Sequence, residues 1–358
     1  KQLIPIKIVI VLVFLIAVAG TGKYIIGKYI PSKERMDLTE YYGQPAEGEM
    51  VVVLGTDIME ERALTSKEQV YLPQEMVSAY LNQRYYWDNQ NQQILYATPS
   101  SLEKFPSSES EGGDVWLKDG KVYLSLSLVK KYTDLDFYEY ENPSRIVIQH
   151  EFSGVNVATA TKKTSVRYRG GIKAPVLTEV KKGDTLIYMQ ALEDWVQVST
   201  MDGYVGYVQK KALSDMETMD FERSFEKEDY TYLTMDNKVN MTWHQITNTD
   251  ANAYLGDMTA NVSGLNVISP TWFYIQDTSG NLGDLSSVDY VTQAHQMGFK
   301  VWGLVDNFTV DISTTETLSQ LSSRQNIIQH LIQTAVNIGM DGINVDFETL
   351  SEDAGPHF

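Results

Sequence analysis

From Tyr230 onward, short apolar runs at strand spacing alternate with longer stretches at helical spacing, and this alternation limits the fold more than any other feature of the chain. The strings VNMTWHQI (239–246), LNVISPTWFYI (265–275), FKVWGLVDN (299–307) and DGINVDFETL (341–350) read as strands. Between them, SSVDYVTQAHQMG (286–298) reads as an amphipathic helix stopped by Gly298. The stretch 314–340 reads as a helix with Ile327, Ile328, Leu331, Ile332 and Ala335 on its apolar face. Strands that follow one another through helices pair in parallel, because each crossover returns the chain to the same end of the sheet. The expectation for 230–358 is therefore a parallel β/α sheet.

The fourth strand carries the strongest chemical signal. Alternate strand residues face opposite sides, so Asn344, Asp346 and Glu348 share one face while Ile343, Val345 and Phe347 share the other. In a barrel the apolar set packs on the outer helices, and the polar set climbs inside towards the C-terminal mouth, where barrel active sites lie. Inward polar groups are costly to desolvate unless they are hydrogen-bonded or used. Neighbouring carboxylates also raise the pKa of one of them, which suits a general acid near neutral pH.

Asp341-Gly342-Ile343-Asn344-Val345-Asp346-Phe347-Glu348 resembles the D-x-x-D-x-D-x-E motif of glycoside hydrolase family 18, the chitinase-like (β/α)8 barrels. Within that family the chain is most similar to the bacterial spore- and wall-associated N-acetylglucosaminidases. NVISPTWFYI and KVWGLVDN resemble the second and third barrel strands. The resemblance spans about residues 230–358 and implies the N-terminal half of a TIM barrel, with the first four βα units only. On that reading this chain is truncated and inactive alone. One position departs: Asn344 stands where many members have Asp, and an amide neither holds nor loses a proton, which alters proton sharing along the row.

The resemblance further implies substrate-assisted retaining hydrolysis, an exception to the usual two-carboxylate scheme. Glu348 would protonate the glycosidic oxygen, the 2-acetamido group of the sugar would attack the anomeric carbon, and Asp346 would orient and stabilise the oxazolinium-like intermediate. Asn344 and Asp341 complete the expected catalytic row. The substrate is then a peptidoglycan or chitin-like glycan containing N-acetylglucosamine. Trp243, Trp272 and Trp302, on or after predicted strands, are candidate sugar platforms. Asp306 and Asn307 end the third strand within reach of a cleft, and Asn307 is a candidate substrate contact. His244 reads as a hydrogen-bonded structural residue. No phosphate loop, metal-spaced cluster or Ser-His-Asp order stands out, so neither cofactor nor metal is expected.

Upstream, the fold class expected is multidomain. Ile8–Gly20 is a continuous apolar run flanked by Lys1, Lys7, Lys23 and Lys28, which marks 1–30 as a signal peptide or signal anchor. Ala17-Val18-Ala19 fits a cleavage site; extension to Ile26, with Lys23 snorkelling, gives a membrane span instead. Either way the remainder faces the outer side of the cytoplasmic membrane or is secreted to the cell wall. Residues 31–49 read as a stalk. Residues 50–152 read as an α+β unit, with Pro73 at a helix start and a hairpin at Lys118-Asp119-Gly120. Tyr71-Leu72-Pro73, Tyr86-Trp87-Asp88, Tyr123-Leu124-Ser125-Leu126 and Pro143-Ser144-Arg145-Ile146 resemble the copper amine oxidase N-terminal-like domain, here a spacer without copper ligands.

Residues 153–214 are short strands with turn signals. Trp195-Val196-Gln197-Val198 and Gly203-Tyr204-Val205-Gly206-Tyr207-Val208 resemble a bacterial SH3 domain, a small all-β barrel of five to six strands. That implies recognition of wall peptide through Trp195 and Tyr207, against the plainer reading of a packing module. Residues 215–229 read as an acidic linker.

Composition narrows the functions. Lys and Arg total 29 and Asp and Glu 47, so the formal charge is 29 − 47 = −18, which argues against nucleic acid as a partner. The absence of Cys removes disulfides, thiol nucleophiles and thiolate metal sites. Three readings remain: an exported glycosidase, a non-catalytic cell-wall carbohydrate-binding protein with a chitinase-like barrel, and a structural surface protein. Glu348 beside an intact Asp346 favours the first.

Overall fold

The computed structural model describes residues 28–66 and 69–358, so the apolar run 8–20 and the export reading lie outside the described residues. Among the described residues no helix is long and apolar enough to cross a membrane. The chain forms two compact units, one of residues 28–86 and 94–229, the other of 87–93 and 230–358.

The first unit holds two sheets. In the larger, of ten strands, Glu49–Leu54 lies between antiparallel Asp57–Ser66 and parallel Arg145–Gln149. Val51, Val52 and Val53 are all fully buried, and a strand covered on both faces is continuously apolar rather than alternating. The predicted hairpin joins Val115–Lys118 to Lys121–Ser125, with Asp119 and Gly120 at φ 50° and 75°. Positive φ at both positions is what a type I′ turn requires. Pro73 caps the helix Gln74–Tyr80, which buries Met76 and Val77.

The second sheet has seven strands, with Val166, Val180, Leu186, Val196, Val198 and Val208 in its core. Alternation along Trp195–Ser199 and Val205–Gln209 puts Trp195 and Tyr207 on the opposite face. Gly206 has an ordinary φ; it is needed for close approach, since a Cβ there would lie 2.6 Å from the Arg167 carbonyl oxygen.

Two readings are corrected in this unit. Residues 31–49 are packed rather than a free stalk. Asp37 caps the helix Leu38–Tyr42, whose Tyr42 is buried and donates from its hydroxyl to the Gly203 carbonyl at 2.7 Å. Tyr41 donates to the Val205 carbonyl at 2.7 Å, and Arg167 donates to Ser32 O at 3.0 Å. The segment lacks a sequence period because the few residues that dock, Ser32, Tyr41 and Tyr42 among them, meet different neighbours around a helix only five residues long. Residues 215–229 are a strap rather than a linker. Glu217–Met219 adds a strand beside Val155–Thr159, and Arg223 pairs with Asp134 and Asp136 while stacked 3.5 Å from the Phe152 ring centroid. The segment's acids find partners too, since Glu228 pairs with Arg84 at 2.6 Å, and acidic composition alone does not show such pairings.

In the second unit, Met241–His244, Val267–Ile275, Lys300–Asp306 and Gly342–Asp346 lie side by side in chain order and all pair in parallel. Leu282–Asp284 folds back antiparallel on the second of them. The helices Val288–Gln296 and Leu321–Ile338 cover one face. Their Tyr290, Val291, Ala294, Ile327 and Leu331 pack on Ile268, Trp272, Phe273, Val301 and Val305. The single helix expected over 314–340 is two, Thr314–Ser319 and Leu321–Ile338, broken where Gln320 is extended. Only part of its apolar face is covered: Ile328, Ile332 and Val336, at i, i+4 and i+8, are exposed.

Candidate active site

Ile343 and Phe347 pack against the helix-covered core, which fixes the facing of the fourth parallel strand, since a one-residue slip would turn every side chain over. Asn344 and Asp346 therefore lie on the opposite, inner face. Leu304 is the register partner of Asn344, and Asp306 that of Asp346. The Asn344 amide donates to Oγ of the fully buried Ser269 on the second strand, at 3.2 Å.

Asp306 stands beside Asp346 at the C-terminal end of the sheet. Burial pushes its pKa above the usual 3.8, and the charge of Asp346 adds to the rise, while a hydrogen bond from the Phe308 backbone N–H at 3.0 Å opposes it. The inner face thus carries a carboxyl group whose charged form is disfavoured relative to an exposed one. Tyr274 completes the row as register partner of Asp306. Its place was hidden in the sequence by a bulge between Thr271 and Phe273, which resets the alternation so that Tyr274 follows Thr271. Gly283 leaves room for its ring, because a Cβ there would be 2.0 Å from Tyr274 Cζ.

Glu348 follows the strand end and is exposed. Its backbone N–H donates to Asn307 Oδ1 at 2.9 Å, and its carbonyl accepts from Asn307 Nδ2 at 2.9 Å. The same Nδ2 donates to Thr314 Oγ1 at 3.0 Å. Asn307, expected to touch substrate, has its amide committed to the chain. Thr349, next after Glu348, has φ 50°, a left-handed conformation that β-branched residues rarely take.

Asp341 does not join this group. It precedes the strand, about 23 Å of extended chain from Glu348 at roughly 3.3 Å per residue. Its carboxylate accepts from Val301 N at 2.9 Å, meets His295 Nε2 at 2.8 Å and lies 3.6 Å from Lys300 Nζ. Burial raises its pKa, but these bonds and charges outweigh burial and hold it below the usual value. In this structure it anchors the start of the strand.

The tryptophans separate. Trp272 is a correction: it is 0% exposed, donates Nε1–H to Asn252 Oδ1 at 2.8 Å and packs edge-on to Tyr290. A side chain sealed on the helix side of the sheet offers no platform to a sugar. Trp302 lies on the inner face but at the start of its strand, close enough to Gly342 that a Cβ there would sit 2.8 Å from its ring. Trp243, in register with Ser269, is 60% exposed. His244 is buried, shares a 2.9 Å hydrogen bond with the Tyr290 hydroxyl, and has its pKa lowered by burial. In the first unit, Trp195 and Tyr207 line separate grooves of about 590 and 490 Å³, the second shared with Tyr41, Tyr168 and Arg169.

No protein-family model matches the chain, and no curated protein does. Among solved structures it is similar to a chitinase from Chromobacterium violaceum, at 18% identity over 30% of this chain and 34% of that one, with a TM-score of 0.24. A chitinase from Bacteroides thetaiotaomicron aligns at 14% identity over 32% and 38%, TM-score 0.27. The spore cortex-lytic enzyme SleL of Bacillus cereus aligns at 18% identity over 39% and 35%, TM-score 0.30. The chain spans between a third and two fifths of the length of each of these structures.

Proposed function

We propose that this chain belongs to an exported glycosidase acting on peptidoglycan or another N-acetylglucosamine polymer by substrate-assisted retaining hydrolysis. The observation that carries the reading is the acidic row at the C-terminal end of the parallel sheet, where Asn344 and Asp346 share the inner face, Asp306 stands beside Asp346, and Glu348 follows. Carboxyl groups gathered at that end of a parallel β/α sheet suit acid–base chemistry on a bound substrate. Glu348 would give its proton to the glycosidic oxygen as the C–O bond breaks. The substrate's 2-acetamido oxygen would bond to the anomeric carbon from the other side, and Asp346 would stabilise the resulting positive charge. Water would then enter as Glu348 takes back a proton.

In the same reading residues 1–30 direct export, the seven-stranded sheet presents Trp195 and Tyr207 to wall peptide, and the larger sheet is a scaffold. The test is hydrolysis of an N-acetylglucosamine oligomer by the natural full-length protein and its Glu348→Gln variant. Near-complete loss of turnover with binding retained is expected, because the change keeps shape and removes the transferable proton. A fully active variant would remove Glu348 as the acid, and cleavage of a de-N-acetylated glycan would remove the acetamido mechanism; glycan binding with no turnover by the parent protein would leave the carbohydrate-binding reading in front.

A further inference from the structure

We propose that Asn307 is the positioning residue for the candidate acid, holding the Glu348 backbone in a conformation the chain would otherwise leave; this rests on the reading of Glu348 as the acid. Strand pairing between the third and fourth parallel strands ends at Asp306 and Asp346. Beyond that point the third strand offers the backbone N–H and C=O of Glu348 no ladder partner, and such groups need partners. The Asn307 side chain supplies both, accepting from Glu348 N and donating to Glu348 O, each at 2.9 Å. An amide side chain carries the same donor–acceptor pair as a peptide unit, so it extends the ladder by one step. The Glu348 N–H can only donate and its carbonyl only accept, which sets which way the amide faces, and Nδ2 makes a further bond to Thr314 Oγ1, at 3.0 Å in the first turn of the helix Thr314–Ser319.

Thr349 is the second observation. Its φ of 50° is unfavourable for a β-branched residue and persists only where the surroundings over-determine it. The clamp on the preceding residue is such a constraint. Strain and clamp together give Glu348 one backbone position, which proton transfer to a fixed glycosidic oxygen demands.

The experiment compares wild type, Asn307→Ala, Asn307→Asp and Glu348→Gln in the natural full-length protein, with a soluble N-acetylglucosamine oligomer as substrate. Asn307→Ala should lower kcat by about 10- to 100-fold, with KM within about threefold, the size of effect that a small misplacement of a reacting group produces. Asn307→Asp, which keeps its size and one of the two bonds, should also lower kcat, and it serves where the alanine variant folds poorly. A raised KM with unchanged kcat would make Asn307 a substrate contact and overturn the proposal, as would wild-type kcat in either variant. Full activity in Glu348→Gln would instead remove the acid assignment itself.

A stability cycle reads the clamp without any activity. Thr349→Gly should raise the thermal midpoint more in wild type than in Asn307→Ala, where the strain has already relaxed. The unfolded-chain effect of glycine is common to both backgrounds and cancels. Equal effects in the two backgrounds would mean that Asn307 does not maintain the strain, and would overturn the proposal.

Discussion

Asp306 and Asp346 are register partners on adjacent parallel strands, so residues distant in sequence place two carboxyl groups side by side at the end of the sheet where the candidate acid lies. The second carboxyl group comes from a strand outside the acidic motif.

That pairing predicts a pH-dependent stability. Asp306 has a pKa above the usual 3.8 in the folded chain, through burial and then through Asp346, so folding favours its protonated form. Its contribution is fully present below about pH 3.8 and is lost as the pH rises through the folded value. Asp306→Asn should therefore melt higher than wild type at pH 7, and the two curves should converge as the pH falls below 3.8. Thermal unfolding between pH 3 and 8 checks it; a constant offset across that range would count against the coupling.

Asp341 predicts the opposite trend. Its pKa is held low by Val301 N–H, His295 and Lys300, so its contribution is present above 3.8 and fades as the pH drops through the lowered value. Asp341→Ala should cost about 1–3 kcal/mol at neutral pH, the usual loss for a hydrogen-bonded charged group. The difference from wild type should shrink on acidification. Denaturant titrations at pH 7 and pH 3 measure both quantities.

Trp272 separates a core role from a sugar platform. Trp272→Ala should destabilise the second unit by about 3–5 kcal/mol, as removal of a large buried aromatic does. Trp272→Phe should cost less but still leave Asn252 Oδ1 without its indole donor. Chemical unfolding reads these losses, and a variant of unchanged stability with weakened glycan binding would reverse the assignment.

Much of the second unit was legible in the sequence because strand and helix periods are local properties. The alternation in DGINVDFE alone puts Asn344 and Asp346 on one face and Ile343, Val345 and Phe347 on the other; packing of Ile343 and Phe347 agrees, while Val345, expected to pack with them, is 51% exposed. The type I′ turn at Asp119-Gly120 was legible for the same reason, since its φ values are a property of the turn residues themselves.

What only the tertiary structure decided are relations between residues far apart in the chain. Which carboxyl stands beside Asp346 depends on strand register, and which amide holds Glu348 depends on where the third strand ends. The bulge that turns Tyr274 inward interrupts the period on which its reading relied. Trp272 looked like a platform because an indole suits both a cleft and a core, and only closure of the helices over the sheet seals it. The segments 31–49 and 215–229 lack a period and hold their places through contacts with residues distant in sequence, such as Tyr42 with Gly203 and Arg223 with Asp134. Periodicity reports the face a residue occupies; partners are set by the folding of the whole chain around it.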